Sequence, residues 1–259
     1  MALTSGNTFY NIIMYKEIRT MKKTVLSLFV MLCCAAASAQ PAAGKFSIIP
    51  RVGVSLANLS GDGVYYGSAN ATESWGSSRN KPGFTVGVDL DYQLTNSLSV
   101  MLGAHYAQQG CNYGNVNEKT SQSGNVNKYV GLNDLSTQLH VINVPLLFNY
   151  YVAPGFAVKT GVQLGFPMSG KLKYTETNFT ENENDGFVAD TPKKHDIDLN
   201  STIKKVDFSI PVGLSFEYMN VIIDARYNIG LTNVQKDFLE LKPVKNRVFM
   251  FSAAYRFQL

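Results

Sequence analysis

The chain has 259 residues, of which 45% are hydrophobic, and a formal net charge of +4. The first 39 residues supply most of this excess, because residues 40–259 carry 19 basic and 18 acidic side chains and a net charge of +1. This balance does not support binding to nucleic acid. The sequence also lacks a run of eighteen apolar residues, which excludes a transmembrane helix.

The N-terminal region has the order of a secretory signal peptide. Met21-Lys22-Lys23 is basic, residues 25–34 are apolar, and Ala37-Ser38-Ala39 provides a small-residue cleavage site. The apolar run is too short to span a membrane. We predict an upstream extension at 1–20, a signal peptide at 21–39 and a mature domain at 40–259.

The cysteines are consistent with ordinary cleavage. Cys33 and Cys34 lie inside the apolar run, and Leu32 precedes Cys33 where a lipoprotein signal has a small residue. Cleavage after Ala39 leaves Cys111 as the single cysteine, which excludes an intramolecular disulfide. The cysteine spacing does not match a metal site either, and no cofactor is expected.

Eight segments alternate apolar and polar residues, as in Phe84–Leu94, where every second residue is large and apolar. Each segment has eleven to thirteen residues, more than the roughly five or six of a typical soluble strand. A tilted strand needs about nine to eleven residues to cross a bilayer. The predicted strands lie near 46–56, 84–94, 98–108, 140–152, 156–166, 206–218, 221–231 and 249–259.

Short and long connections alternate strictly along the chain. The short links are 95–97, 153–155 and 219–220, and the long links are 57–83, 109–139, 167–205 and 232–248. Outer-membrane barrels have short periplasmic turns and long external loops. The pattern therefore predicts an all-β fold: an eight-stranded antiparallel up-and-down transmembrane β-barrel in the Gram-negative outer membrane, with both termini in the periplasm.

The two faces of the predicted strands differ in charge and volume. One face carries aromatic and branched side chains without Asp, Glu, Lys or Arg, whereas the other carries glycines and all nine charges of the strands. An eight-stranded barrel has an interior that side chains just fill. We therefore expect the bulky face to contact lipid and the charges to pair as a structural plug in the lumen: Arg51, Asp89, Asp91, Lys159, Asp207, Glu217, Asp224, Arg226 and Arg256.

Aromatic residues near both ends of the apolar face agree with two girdles at the membrane interfaces. A soluble, lipocalin-like barrel remains the alternative, since alternation alone is common to both. In the membrane orientation, lumen-facing Gly87 is predicted to tolerate serine better than lipid-facing Val88 tolerates arginine. Pro145 and Pro211 cannot donate to a ladder, so we expect local bulges there.

Three segments resemble the PorT-like outer-membrane β-barrel family of Bacteroidetes. LHVINVPLLFNYYV (139–152) resembles its Leu-x-Ile-Pro-Leu-Leu-x-x-Tyr strand, VIIDARYNIGLTNV (221–234) its Asp-x-Arg-Tyr-x-x-Gly-Leu strand, and the closing AAYRFQL its aromatic terminal strand. Asn149 departs from the basic residue common at that position. The resemblance implies an outer-membrane barrel; the name-giving member is tied to secretion of surface proteins, and no active site is carried over.

Candidate catalytic and metal-binding residues are few. His105 on the lumen face is expected to be a hydrogen-bonded structural histidine, and His140 and Asp207 are the pair that an enzyme at the external rim would use. Nucleophile-elbow and zinc-protease motifs are absent from the sequence. FTENENDGF (179–187) imitates the start of a calcium loop, but Pro192 stands where the closing glutamate belongs, so a solvated acidic loop is predicted.

The external links suggest where function lies. Residues 110–136 are rich in Asn, Gly and Ser, which predicts a mobile, exposed loop with Cys111 accessible to reagents. We interpret the chain as a non-enzymatic outer-membrane protein, structural or accessory to protein secretion, that contacts lipid and meets envelope or surface partners through its external loops. A rim-active enzyme and a narrow solute channel remain alternatives.

Overall fold

The computed structural model describes residues 42–60, 78–123, 126–182, 186–236 and 243–259. The predicted upstream extension and signal peptide lie outside this part of the chain. Within it, no helix is long and apolar enough to cross a membrane. The strands are β1 (Phe46–Ser60), β2 (Arg79–Thr95), β3 (Leu98–Asn112), β4 (Val116–Ser123), β5 (Val126–Ala153), β6 (Phe156–Asn182), β7 (Gly186–Ala189), β8 (Lys193–Asp198), β9 (Asp207–Tyr218), β10 (Val221–Gly230), β11 (Lys245–Tyr255) and β12 (Phe257–Gln258).

Eight of these strands close into an antiparallel barrel. β1 pairs with β2 and β11, and the ladder continues through β3, β5, β6, β9 and β10 until the circle is complete. The pairing of β5 with both β3 and β6 closes the wall. The predicted fold, an eight-stranded up-and-down barrel, is confirmed.

The three short links lie at one end of the barrel, as predicted. Met219 and Asn220 join β9 to β10 with φ angles of 47° and 66°. A two-residue hairpin with both central residues at positive φ has a twist that matches the flanking strands. Gly155, at φ 73°, turns the chain between β5 and β6.

The end of the barrel opposite the short links carries a second sheet, here called the distal sheet, that the sequence analysis did not predict. β5 has 28 residues and β6 has 27, more than twice the roughly nine to eleven that a tilted strand needs to cross a bilayer. β4 adds to the far part of β5, and β7 and β8 add to the far part of β6. Links 109–139 and 167–205 were predicted to be loops, but much of each is paired strand.

A hydrophobic cluster, here called the cap, lies at the base of the distal sheet. The outer ends of β1 and β3 and the middle parts of β5 and β6 contribute to it together with three connecting segments. Cys111 is fully buried there, so the prediction of an exposed, reagent-accessible cysteine is wrong. The cap consists of Leu59, Cys111, Tyr113, Leu135, Leu139, Val141, Leu172, Leu199, Ile203, Val234 and Val244.

The barrel wall separates side chains as the alternation predicts. Phe84, Val86 and Val88 are exposed on the outside, whereas Asp89 and Asp91 are buried in the lumen. The lumen also holds apolar side chains that the volume argument did not anticipate. Ile49, Met101, Leu147, Ile222 and Ala254 form a compact inner cluster.

Two further expectations are wrong. The strand register is continuous across Pro145 and Pro211, so neither proline forms a bulge; instead the ladder is interrupted opposite each proline on one side only. A larger residue at Gly87 is not cheap, because an added Cβ would lie 2.4 Å from the carbonyl oxygen of Ala104 and 2.4 Å from the ring of His105, so the backbone would have to shift. The lumen is packed tightly at that level.

Candidate functional site

The polar side chains of the lumen form two groups at different depths. The central cluster contains Arg51, Asp89, His105, Lys159, Asp224, Arg226 and Ser252. The basal cluster, nearer the short turns, contains Asp91, Ser99, Asn149, Tyr151, Glu217 and Arg256. All of these residues are buried, and each points inward because it occupies the charge-bearing position of its alternating strand.

Asp89 connects two strands on either side of it in the central cluster. Its Oδ2 accepts a hydrogen bond of 2.7 Å from Arg51 Nε, and its Oδ1 lies 2.6 Å from His105 Nε2. Arg51 Nη1 also donates to Ser252 Oγ at 2.8 Å. Three neighbouring strands and β11 are thereby joined through one carboxylate and one guanidinium.

Asp224 faces three cations. Its Oδ2 accepts a hydrogen bond of 2.7 Å from Lys159 Nζ. Its Oδ1 lies 3.5 Å from Arg51 Nη1 and 3.3 Å from Arg226 Nη2. One carboxylate is therefore shared among residues from β1, β6 and β10, which lie on different sides of the barrel.

Arg256 organises the basal cluster. Its guanidinium donates to both oxygens of Glu217, at 2.8 and 3.0 Å, and to Asp91 Oδ2 at 2.7 Å. A further hydrogen bond of 3.1 Å reaches Tyr151 Oη. Because the planar guanidinium of Arg256 binds two carboxylates in fixed directions, it links β2, β9 and the C-terminal residues.

Asn149, which departs from the basic residue of the resembling family, has a place in this cluster. Its side-chain amide donates to Asp91 Oδ1 at 3.2 Å and to Ser99 Oγ at 2.9 Å. Ser99 in turn donates to Asp91 at 2.8 Å. The sequence analysis did not predict four members of the network, although the alternation places their side chains inside the barrel: Ser99, Asn149, Tyr151 and Ser252.

Asp207 lies apart from both clusters. Its Oδ1 accepts a hydrogen bond from Thr232 Oγ1, and the described residues offer it no ion pair. Eight of the nine predicted lumen charges therefore come together in the two clusters, and the ninth does not. The expectation that Asp207 pairs with a basic lumen residue is wrong.

The two residues considered for rim chemistry are not brought together. His140 Nδ1 is hydrogen-bonded to Tyr106 Oη, and both side chains lie on the outer face of the wall. Asp207 is on the inner face. His195 stacks on Tyr174 with 4.7 Å between ring centroids and lies 3.3 Å from Glu176, so its contacts lie within the distal sheet.

The far end of the distal sheet presents a polar and aromatic surface. Tyr129 and Phe187 have ring centroids 5.8 Å apart, and Phe187 is 66% exposed. Glu181 accepts hydrogen bonds from Asn127 at 3.0 Å and Tyr129 at 2.8 Å. These bonds lower the pKa of Glu181 and raise the pKa of Tyr129. Glu183 and Asp185 of the calcium-like stretch lie outside the described residues.

Solved structures with a similar fold include outer-membrane proteins from several bacteria. The chain is 18% identical to Ail, the attachment invasion locus protein of Yersinia pestis, with 83% of this chain and 99% of that chain covered and a TM-score of 0.37. For OprG from Pseudomonas aeruginosa the identity is 10%, the coverage 84% and 98%, and the TM-score 0.37. These TM-scores are too low to transfer an activity or a partner from those proteins to this chain.

A family model gives the assignment. No curated protein matches the chain. The model for the outer membrane protein β-barrel domain matches residues 38–236, which is most of the chain and includes seven of the eight barrel strands. The chain therefore belongs to the outer membrane protein β-barrel domain family, and its location is the outer membrane.

Proposed function

We propose that this barrel is a non-enzymatic outer-membrane component that contacts its partners through the distal sheet, which we place on the extracellular side. The observation that carries the proposal is the length of β5 and β6, which continue far beyond the barrel and recruit β4, β7 and β8. The barrel alone needs no such extension. Exposed Phe187 and Val188 at its far end offer apolar contact area, and surfaces of this kind are common at interaction sites.

The arrangement of the titratable groups favours a non-enzymatic role. In both lumen clusters the carboxylates face cations of the same cluster, and His140 and Asp207 lie on opposite faces of the wall. A general base must reach a substrate proton within hydrogen-bond distance. The buried charged groups of the two clusters already form ion pairs with one another, as expected of a structural plug.

A finer assignment follows from sequence motifs. The strands at 139–152 and 221–234 resemble those of the PorT-like branch of Bacteroidetes, so we propose a structural role or an accessory role in secretion of surface proteins. We also propose that the mature chain begins at Gln40 after signal-peptide cleavage and that both termini are periplasmic. Intact-mass measurement of protein extracted from outer membranes tests the cleavage site: a chain that retains Met21, or a lipid on Cys33 or Cys34, contradicts it.

Site-specific photo-crosslinking in intact cells tests the interaction surface. A photoreactive amino acid at position 187 is expected to give adducts with an envelope or extracellular partner. The same group at position 257, on the outer wall at the opposite end of the barrel, is the matched control and is expected to give lipid adducts only. Absence of partner adducts at position 187 contradicts the proposal, as does a measurable turnover that His140→Ala abolishes.

A further inference from the structure

A cleft lies in the outer wall of the barrel where the ladder between β2 and β3 is interrupted. Residues 81–84 of β2 do not pair with residues 108–110 of β3, although the two strands pair on both sides of this break. The carbonyl oxygen of Gln108 instead accepts a hydrogen bond of 2.6 Å from Ser55 Oγ. The cleft has a volume of about 260 Å³. A water molecule takes up about 30 Å³ in the liquid, so the cleft is far larger than a single water site.

Side chains that donate hydrogen bonds line the cleft. Lys81, Gln108, Gln138 and His140 all contribute to its wall. His140 Nδ1 is hydrogen-bonded to Tyr106 Oη, which leaves the other ring nitrogen for a ligand. The cleft thus offers an ammonium, two amides and an imidazole. Such a set suits an anion that has several acceptor oxygens, because hydrogen bonds to ionised acceptors are the stronger ones.

Lys81 supplies the positive charge of the cleft. Among the described residues that line it, none is Asp or Glu. Lys81 Nζ donates to Asn112 Oδ1 over 3.4 Å, and Lys173 lies within electrostatic reach of the same ammonium. The carboxylate of Asp196 is 3.2 Å from Lys171 and 3.9 Å from Lys173. In the part of the chain that the structure describes, Lys81 therefore has an amide partner but no carboxylate partner.

The cleft begins where the apolar surface of the outer wall ends. On the side of the short turns, the wall next to it presents Phe84, Tyr106 and Ile142. The rings of Phe84 and Tyr106 lie 5.5 Å apart, and Phe84 and Val86 are exposed. The polar headgroup layer of a bilayer directly follows its hydrocarbon core. A lipid whose acyl chains pack on this surface therefore has its phosphate at the depth of the cleft.

We propose that this cleft binds the phosphate of a membrane lipid. Lys81 is the counterion, the amides of Gln108 and Gln138 are further donors, and the acyl chains pack against the apolar wall beside the cleft. Water also hydrates an ammonium, but a lipid is held at this depth by its own acyl chains and brings negative charge. The site belongs to the barrel wall, so it does not depend on the proposed function of the distal sheet.

Thermal unfolding of the refolded barrel in dodecyl maltoside tests the proposal. The midpoint is followed by the heat-dependent gel shift with phosphatidic acid, with diacylglycerol of the same acyl chains, or with inorganic phosphate at equal concentrations. A ligand that binds the folded state alone raises the midpoint, so we expect a saturable increase with phosphatidic acid only. No increase with phosphatidic acid overturns the proposal. An equal increase with diacylglycerol shows that the phosphate is not recognised, and an equal increase with inorganic phosphate shows that the lipid is not required; either result also overturns it.

Variants locate the effect. Lys81→Met is expected to lose the increase with phosphatidic acid, whereas Arg247→Met, which removes an exposed cation on the outer wall of β11, is expected to keep it. An increase that survives in Lys81→Met, or that Arg247→Met also loses, overturns the assignment. Should Lys81→Met not fold, acetylation of the unaltered protein decides. Phosphatidic acid, but not diacylglycerol, is expected to protect Lys81, while exposed Lys45 at the opposite end of the barrel reacts equally with both. Equal acetylation of Lys81 with the two lipids overturns the proposal.

Discussion

Neighbouring residues in this chain occupy opposite environments. Val88 is 44% exposed on the outer wall, whereas Asp89, the next residue, is 1% exposed and ion-paired in the lumen. Side chains alternate across a strand, so a single step along the chain moves a side chain from lipid to the lumen. Substitution effects at adjacent positions are therefore governed by different physics.

Replacing Val88 with arginine tests the lipid face. A charge on the lipid face near the bilayer midplane costs about 2–4 kcal/mol, and near an interface about 0–1 kcal/mol. Val152→Arg, near the short turns, is the matched control because Val152 is also exposed on the outer wall. Denaturant unfolding in lipid vesicles should give a much larger loss for Val88→Arg; equal losses would contradict the membrane orientation.

Removing the carboxylate of Asp89 tests the central cluster. Asp89→Asn leaves Arg51 without its closest counterion in a buried site, and breaking a buried pair in this way costs about 3–5 kcal/mol. Asp196→Asn is the control, because Asp196 pairs with Lys171 at 3.2 Å on the exposed surface of the distal sheet. An exposed pair contributes about 0–1 kcal/mol. Comparable losses in the free energy of unfolding would show that the lumen pair is not desolvated.

At the scale of the strands, β5 and β6 each serve two purposes. The parts near the short turns belong to the barrel wall, and the parts beyond the wall form the centre of the distal sheet. The register between them shifts at His140 and Val141, near the level at which the wall ends, and again between Asn133 and Ser136. Such irregularities change the direction in which side chains point. Here they lie where the inward-facing residues change from the polar side chains of the lumen to the apolar side chains of the cap.

The reactivity of Cys111 reports on the cap. In the folded protein we expect slow labelling by a maleimide, because the thiol is fully buried. Leu199→Ala removes a fully buried cap residue at a cost of about 2–5 kcal/mol and should accelerate labelling. Val188→Ala, at an exposed position of the distal sheet, should leave the labelling rate of Cys111 unchanged. Labelling of the unaltered folded protein as fast as in denaturant would contradict a packed cap.

At the scale of the whole molecule, closure and filling act together. The closed ladder leaves no strand edge in the membrane. Inside it, the basal cluster, the inner apolar cluster and the central cluster follow one another, with the cap at the outer end. The two ionic clusters link strands that are not adjacent in the wall, which opposes distortion of the barrel cross-section.

Planar-bilayer recordings test this filling. We expect no steady conductance from the purified barrel, because ion-paired side chains occupy the lumen at two depths. The same preparation should migrate faster on gels before heating than after, which controls for a folded barrel. A stable ohmic pore from heat-modifiable protein would contradict the plug and favour the channel alternative.

The sequence by itself determined the barrel and the side of the wall on which each charge lies. Three features carried these predictions: the period of two in Phe84–Leu94, the alternation of short and long links, and the limited volume of an eight-stranded lumen. Each can be obtained from the sequence without knowing any contact between distant residues. The same alternation identified eight charges of the two clusters, but it could not exclude Asp207, since direction along a strand does not specify a partner.

Only the tertiary structure decided the distal sheet, the cap and the packing inside the lumen. In the sequence, the parts of β5 and β6 beyond the barrel wall resemble loops, because Asn, Gly, Ser and Thr weaken the alternation there. In the structure they are strands, because they pair with each other and with β4, β7 and β8. Cys111 is buried by residues distant in the chain, such as Leu199 and Val244. Gly87 is fixed by contact with β3. Burial and close approach between distant segments depend on how the wall closes, and a one-dimensional pattern does not contain that information.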